Sequence, residues 1–139
     1  MKFIIASDSF KGSLSSEQAN DIIEKKINKI FPGSVCNKIQ IADGGEGTLK
    51  AIYGKDGNGY SKVEVDTLDP LGRKIKGIYL KKGEVAVVEM AESSGITLIS
   101  DDEKNPLITS SLGTGILIKH AILNGCKKMY IGIGGSSTN

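Results

Sequence analysis

Apolar positions along the chain change period several times, and each change predicts a different element. Residues 2–6 form a short, continuous apolar run that is typical of a central strand. The apolar residues within 19–31 then recur at helical spacing and would lie on one face of a helix. Ser15 with Gln18 fits a capping box at the start of this helix, and Pro32-Gly33 fits its end. This segment therefore predicts a strand followed by a helix.

The pattern repeats once before it changes to the period of an antiparallel sheet. A second strand is predicted over 35–41, and a second helical face over 49–53 is closed by Gly54. Within 60–90, apolar residues alternate with polar ones or form short runs, and compact turns separate them. Strands joined by such short turns must run antiparallel, so this stretch predicts a meander.

The C-terminal part of the chain predicts one more helix and one more strand. The helix is expected from about 109 to 124, where Ile and Leu are frequent, and Gly125 ends it. The strand is expected over 127–131. Parallel βα units together with an antiparallel meander argue for an α/β fold with a mixed sheet. We divide the chain into a βαβα segment over 1–59 and, over 60–139, the meander followed by the last helix and strand.

Composition and charge favour an ordinary globular protein. The chain has 39% hydrophobic and 24% charged residues and a formal net charge of +2. This small basic excess does not indicate nucleic-acid binding, and no apolar run approaches the roughly 18 residues of a membrane span. Cys36 and Cys126 have neither metal-site nor CxxC spacing, and a reduced, buried thiol is expected at each position. Met1 leads almost directly into a strand, so we expect no signal peptide and a cytoplasmic location.

Three loops share one character, because each follows a predicted strand and combines small residues with an acid or a hydroxyl. They lie over 8–13, 43–48 and 132–139. In an open α/β sheet, loops after the strand carboxyl ends gather at one edge, where ligands bind. Glycines there let backbone N–H groups approach an anion, and Asp can hold a metal or accept a hydroxyl proton. The third loop ends before any helix, which suggests the front part of a larger α/β protein.

Each of these signals also has a purely structural explanation. Asp-Gly-Gly is more often a turn than a site, and the loop over 132–139 matches neither a dinucleotide fingerprint nor a Walker loop. Gly113 and Gly115 each cost about 1 kcal/mol of helix stability relative to Ala, which indicates close backbone approach to a ligand or to a packed neighbour. Lys11 could hold a phosphate or carboxylate, or remain solvated. The single histidine, His120, is expected to have a structural role or to lie on the surface.

Six motifs, in order along the chain, resemble the type I glycerate kinase family and span nearly the whole sequence. They are SDSFKGSLS at 7–15, ADGGEGT at 42–48, DPLGR at 69–73, VEMAESSG at 88–95, SLGTG at 111–115 and IGIGGSSTN at 131–139. The resemblance implies phosphorylation of glycerate to a phosphoglycerate, the 2-phosphate being favoured, with ATP and Mg²⁺ as cofactors. It also implies a longer chain with two α/β domains, of which this sequence is the N-terminal portion. In the family, Asp-Gly-Gly follows the position of Asn139.

The resemblance and the loop placement together suggest roles for individual residues. Asp43 would orient the accepting hydroxyl, with Asp8 as an alternative or as a metal partner. Lys11 would hold a carboxylate or a phosphate. The residues expected to bind substrate or phosphate are Ser9, Gly44, Gly45, Gly113, Thr114, Gly134, Gly135, Ser136, Thr138 and Asn139. The identity of the metal ligands remains open.

Two other functions fit the same residues. The chain could be a catalytically inactive remnant, or an anion- or nucleotide-binding piece of a split enzyme. For a kinase, the expected partners are glycerate, a small molecule, and either the missing C-terminal portion or a further copy of the chain. Neither nucleic acid nor a membrane is expected. Mixing the chain with the missing portion separates these functions, because only a split enzyme would regain activity.

Overall fold

A computed structural model describes residues 1–10 and 13–138, and the chain divides into two compact units, Met1–Asp43 and Gly44–Asn139. Each unit combines strands with helices, and both parallel and antiparallel strand pairs occur. The predicted mixed α/β fold is therefore confirmed. The division of the sequence at residue 59 stays a prediction.

The first unit is a βαβ arrangement. Strands β1 (Lys2–Ile5) and β2 (Val35–Lys38) pair in parallel, and helix α1 (Ser16–Ile30) connects them. The predicted capping box is present: the Gln18 N–H donates to Ser15 Oγ at 3.2 Å, and the Ser15 N–H donates to Gln18 Oε1 at 2.9 Å. These bonds satisfy two donors at the start of α1 and confirm its predicted N-terminus.

Strand β2 ends earlier than the predicted range of 35–41. The buried side chain of Asn20, on α1, explains the difference. Its Nδ2 donates to the carbonyl of Ile39 at 3.0 Å, and its Oδ1 accepts from the Ser7 N–H at 3.0 Å. The backbone beyond β2 is thus bonded to a helix side chain, so the segment does not continue as a paired strand.

The second unit is built around a four-stranded mixed sheet. In spatial order its strands are β3 (Ser61–Leu68), β4 (Lys74–Lys82), β5 (Val85–Glu89) and β6 (Lys128–Gly132). Strands β3, β4 and β5 are antiparallel neighbours, which confirms the predicted meander. Strand β6 runs parallel to β5 and places Gly132 opposite Glu89.

Helices pack on both faces of this sheet. Helix α4 (Leu112–Leu123) contributes to a core of Val65, Tyr79, Ala86, Val88, Leu117, Ala121 and Cys126. Helix α2 (Thr48–Tyr53) contributes to a second core of Leu49, Leu80 and Val87. The short helix α3 (Ala91–Ser94) follows β5 directly. Because β5 lies between the two cores, its carboxyl end is held rigidly.

Helix α4 begins later than the predicted start near residue 109. Thr109 and Ser110 are engaged in loop contacts instead: Thr109 Oγ1 donates to the Ser137 carbonyl at 2.8 Å, and the Ser110 N–H donates to the Pro70 carbonyl at 2.9 Å. These contacts come from segments distant in sequence. They hold the residues before α4 in a loop and delay its first turn.

Within residues 1–10 and 13–138, no helix has both the length and the apolar character needed to cross a bilayer. Both cysteines have free thiols. Cys126 is buried, as the sequence predicted, whereas Cys36 is only half-buried.

Candidate functional site

Two of the three predicted loops meet in the second unit, beside the carboxyl ends of β5 and β6. The Gly134 N–H donates to the Gly44 carbonyl at 3.0 Å. A Cβ added at Gly132 would lie 2.5 Å from Gly44 O, and one added at Gly134 would lie 2.7 Å from Gly45 Cα. Gly135 has a φ of 74°, which also favours glycine. The glycines of the third loop therefore allow two backbones to touch, whether or not a ligand also binds there.

Glu89, at the end of β5, anchors the loop that follows Gly44. Its side chain is only 2% exposed. Oε1 accepts from the Gly47 N–H at 3.0 Å, and Oε2 accepts from the Leu49 N–H at 2.8 Å. The carboxylate thus occupies N–H groups at the start of α2, where a ligand anion would otherwise find donors.

Burial raises the pKa of Glu89, and the hydrogen bonds from the Leu49 and Gly47 N–H groups partly offset this effect because they favour the ionised carboxylate. In the sequence, Glu89 stands out only as a member of the VEMAESSG motif, and no role was predicted for it. The available signal was an acid at the end of a buried strand, although its partners are 40 and 42 residues away.

Hydroxyl groups of the third loop are hydrogen-bonded within the protein. Ser136 Oγ donates to the Thr138 carbonyl at 2.8 Å, and Ser137 Oγ donates to the Ser94 carbonyl at 2.9 Å. Thr138 Oγ1 donates to the Thr109 carbonyl at 3.2 Å. These bonds fix the loop against its neighbours and use the hydroxyl protons. A ligand anion at this loop therefore needs backbone N–H groups, a donor from another segment, or a rearrangement of these hydroxyls.

Gly113 and Thr114 lie where α4 packs against the rest of the second unit. A Cβ added at Gly113 would collide with the Leu68 carbonyl oxygen, and the Gly113 carbonyl accepts from Thr67 Oγ1 at 2.8 Å. Thr114 is 3% exposed, and its hydroxyl is 2.7 Å from that of Ser94. Both residues have a packing role in this structure, while ligand binding by them stays a prediction.

Two of the predicted catalytic residues, Asp8 and Asp43, belong to the described part of the first unit. Asp8, Ser9 and Asp43 are exposed, and Asp8 Oδ1 accepts from the Ser9 N–H at 2.7 Å. Lys11 and Asn139 lie outside the described residues, so their roles stay predictions.

Across the described residues, no group of three or more His, Cys, Asp or Glu side chains is placed to hold a metal ion. Mg²⁺ in kinases is usually held by one or two carboxylates together with the phosphates of the substrate. Asp8 and Asp43 are exposed carboxylates, the type of donor that such a site uses, and binding of Mg²⁺ by them stays a prediction.

The DPLGR motif forms a turn around a buried carboxylate. Asp69 Oδ1 accepts from the N–H groups of Leu71 at 2.9 Å and of Arg73 at 2.8 Å. Arg73 Nε donates to Asp69 Oδ2, and its Nη1 donates to Glu103 at 2.7 Å. Burial opposes ionisation, yet the Arg73 guanidinium and the backbone N–H groups hold the pKa of Asp69 below its usual value. This motif therefore stabilises the β3–β4 connection.

Beside the third loop lies an open cleft of about 240 Å³. It is lined by Ile96, Lys104, Asn105, Pro106, Ser136, Ser137 and Thr138. The cleft brings two predicted ligand-binding residues, Ser136 and Thr138, together with Lys104, which sequence reasoning did not single out.

Known proteins resemble this chain along its whole length. Residues 3–139 match the Glycerate kinase family. The glycerate kinase of Bacillus subtilis (strain 168) is 43% identical, and the match covers 100% of this chain and 36% of that protein. The glycerate 2-kinase of Escherichia coli (strain K12) is 40% identical, with the same 100% and 36% coverage.

A solved structure also matches the whole of this chain. The crystal structure assigned as glycerate kinase 2 from Salmonella typhimurium LT2 matches with a TM-score of 0.69 and 40% sequence identity. The match covers 100% of this chain and 37% of that one, so the chain spans little more than a third of the length of its relatives. Because the family match extends over residues 3–139, the chain belongs to the glycerate kinase family.

Proposed function

We propose that the chain acts as the N-terminal portion of a kinase that transfers the γ-phosphoryl group of ATP to glycerate, with 2-phosphoglycerate as the product. The family match over residues 3–139 is the observation that carries this proposal. One relative is named a glycerate 2-kinase, which favours the 2-hydroxyl as acceptor. Because the match covers 36% of such relatives, the activity is proposed for this chain together with a segment equivalent to their remaining part.

Phosphoryl transfer requires positioning and charge neutralisation more than covalent participation by the protein. In this proposal Asp43 orients the accepting hydroxyl, and Asp8 is the alternative for that role or a partner of the metal. Lys11 holds the glycerate carboxylate or a phosphate. The exposure of Asp8 and Asp43 supports these roles, since groups that contact a ligand must be reachable. Mg²⁺, when bound with ATP, would neutralise charge on the β- and γ-phosphates.

The second and third loops contribute rigidity in this proposal. The contact between Gly134 and Gly44 joins the loop over 43–48 to the loop over 132–138. The Glu89 carboxylate also holds the loop over 43–48 through the N–H groups of Gly47 and Leu49. Loops held in this way lose little conformational entropy when a ligand binds. The proposed anion-binding residues Gly44, Gly45, Gly134 and Gly135, with Ser136 and Thr138, all belong to this arrangement.

Reconstitution of activity from two pieces tests the proposal. The chain is co-expressed with the remaining part of the Bacillus subtilis relative, and phosphoglycerate formation is measured with ATP and glycerate. The same split made in the Bacillus subtilis protein serves as the positive control. We expect product only when both pieces and Mg²⁺ are present. No product from folded pieces, when the control is active, would favour an inactive remnant; nucleotide binding without transfer would favour a binding piece.

A matched pair of variants tests the role of Asp43 in the reconstituted kinase. Asp43→Asn should lower the turnover number by roughly 10²–10⁴-fold, the usual contribution of a general base. Asp56→Asn, which changes an exposed acid in another loop, should leave it unchanged. If Asp43→Asn retained full turnover, the role would pass to Asp8.

A further inference from the structure

The cleft beside the third loop combines polar residues from two distant segments. Lys104 and Asn105 precede α4 in the chain, whereas Ser136 and Thr138 follow β6. Of the residues that line the cleft in the described part of the chain, Lys104 is the one that carries a positive charge. The residues Ile96 and Pro106 add apolar surface. This composition suits a ligand with a negatively charged end and a short carbon chain.

Lys104 is available to such a ligand at low cost. It forms an ion pair with Asp101, whose side chain is 95% exposed. Exposed ion pairs stabilise proteins very little, because water competes for both charges. A ligand oxyanion that enters the cleft can therefore replace Asp101 as the partner of Lys104.

The other polar groups of the cleft also favour a negatively charged ligand. The hydroxyl protons of Ser136 and Thr138 are used in internal hydrogen bonds, which leaves Lys104 as the group that can neutralise an anion. Asn105 Oδ1 accepts from the Leu107 N–H at 3.0 Å, so the amide nitrogen is the part of this side chain that remains for a ligand oxygen.

The size of the cleft limits the ligand. Its volume of about 240 Å³ is below the roughly 300–1,000 Å³ of sites that hold drug-sized molecules. A three-carbon acid or a single phosphoryl group fits this volume. We propose that the cleft binds the carboxylate or phosphate oxyanion of a small hydroxy acid or its phosphate ester, with Lys104 as the cationic partner. The choice of glycerate as that acid rests on the proposed function.

Titration of the ¹⁵N-labelled chain, followed by NMR, tests this site without requiring activity. The probes are glycerate, inorganic phosphate and, as a neutral control, glycerol. We expect saturable shifts of the amide signals of residues 136–138 with at least one anion and none with glycerol. Saturation by glycerate alone would identify a carboxylate site, and saturation by phosphate alone would identify a phosphoryl site. Absence of saturable shifts with both anions would overturn the proposal.

Three variants test whether Lys104 provides the charge. Lys104→Gln should weaken anion binding about tenfold, as expected for loss of one charge-assisted hydrogen bond. Lys127→Gln is the matched control, because Lys127 is an exposed lysine that also pairs with an acid, Glu84; its affinity should equal that of the wild type. Asp101→Asn should bind a few-fold more tightly because the internal competitor is gone. Wild-type affinity in Lys104→Gln or in Asp101→Asn contradicts the proposal.

The reconstituted kinase separates this proposal from the proposed function. If Lys104→Gln forms phosphoglycerate with an unchanged KM for glycerate and for ATP, the cleft is not the anion site, although the kinase assignment stands. If the anion titrations behave as expected but no phosphoglycerate forms, the cleft assignment stands and the kinase assignment fails.

Discussion

Two glycines of α4 should respond in opposite directions to the same substitution. Gly113 is buried, and a Cβ added there would collide with the carbonyl oxygen of Leu68. Gly115 is exposed, and an added Cβ would meet no atom within 4 Å. Neither glycine has a positive φ, so the backbone at both positions accepts alanine. The pair therefore isolates the effect of the contact with β3 from the effect of helix propensity.

The expected magnitudes follow from these contacts. Alanine stabilises a helix by up to about 1 kcal/mol relative to glycine, so Gly115→Ala should raise the free energy of unfolding by about 0.5–1 kcal/mol. Gly113→Ala gains the same propensity but overpacks the interface, which costs about 1–3 kcal/mol and occasionally more. Because Leu68 O belongs to the backbone, it cannot rotate away. Moving α4 would also weaken the bond from Thr67 Oγ1 to Gly113 O, worth about 0.5–1.5 kcal/mol.

Gly113→Ala should therefore be less stable than wild type, and the two variants should differ by roughly 2–4 kcal/mol. Urea unfolding followed by far-ultraviolet circular dichroism measures this difference as midpoints that move in opposite directions with an unchanged m value. If Gly113→Ala were as stable as Gly115→Ala, contact with Leu68 would not explain the glycine. A normally folded Gly113→Ala with weakened ligand binding would instead support the role in the site predicted from the sequence.

Buried polar groups and one glycine contact give three more expected outcomes. Because burial raises the pKa of Glu89, its contribution to stability is fully present below about pH 4.5, the ordinary value, and declines as the pH rises through the folded-state pKa. Glu89→Gln should flatten that part of the stability profile; parallel profiles for Glu89→Gln and wild type would refute this. Thr114→Val should cost about 1–3 kcal/mol in urea unfolding because the buried hydroxyl of Ser94 loses its partner, and Thr114→Ser should recover most of the loss; equal stabilities of the two variants would argue against the hydroxyl contact. Gly134→Ala should cost about 1–3 kcal/mol because the new Cβ meets backbone rather than a flexible side chain, and a variant of wild-type stability would exclude the close loop contact.

Features that depend on residues close together in sequence were predicted correctly. The start of α1 follows from Ser15 and Gln18, which are three positions apart. The meander over β3, β4 and β5 follows from alternating apolar residues and short turns. By contrast, the end of β2 and the start of α4 were predicted imprecisely. Asn20 and Thr109 set those boundaries through bonds to residues far away in sequence.

The same distinction applies to the candidate site. Sequence motifs identified the loops over 43–48 and 132–139, and the structure brings their described parts into contact. The motifs did not reveal that the glycines serve this contact, because a glycine has the same appearance in a sequence whether a ligand or a neighbouring backbone lies beside it. Glu89 was missed because its hydrogen-bond partners come from a segment 40 and 42 residues away. Lys104 was missed because residues 136–138, which line the same cleft, lie far from it in sequence.

Periodicity, caps, turns and family motifs are legible in the sequence because they depend on side-chain type and on spacings of a few residues. Periodicity also predicted the apolar face of α1, but not its coverage: Ile22 is 48% and Ile30 is 66% exposed. Which apolar faces are covered, and which polar groups pair with each other, is decided only in the folded chain. Burial removes water from groups such as the carboxyl of Glu89 and the hydroxyl of Thr114, so each must find a protein partner. Folding alone supplies those partners, because it brings together segments that the linear sequence keeps apart.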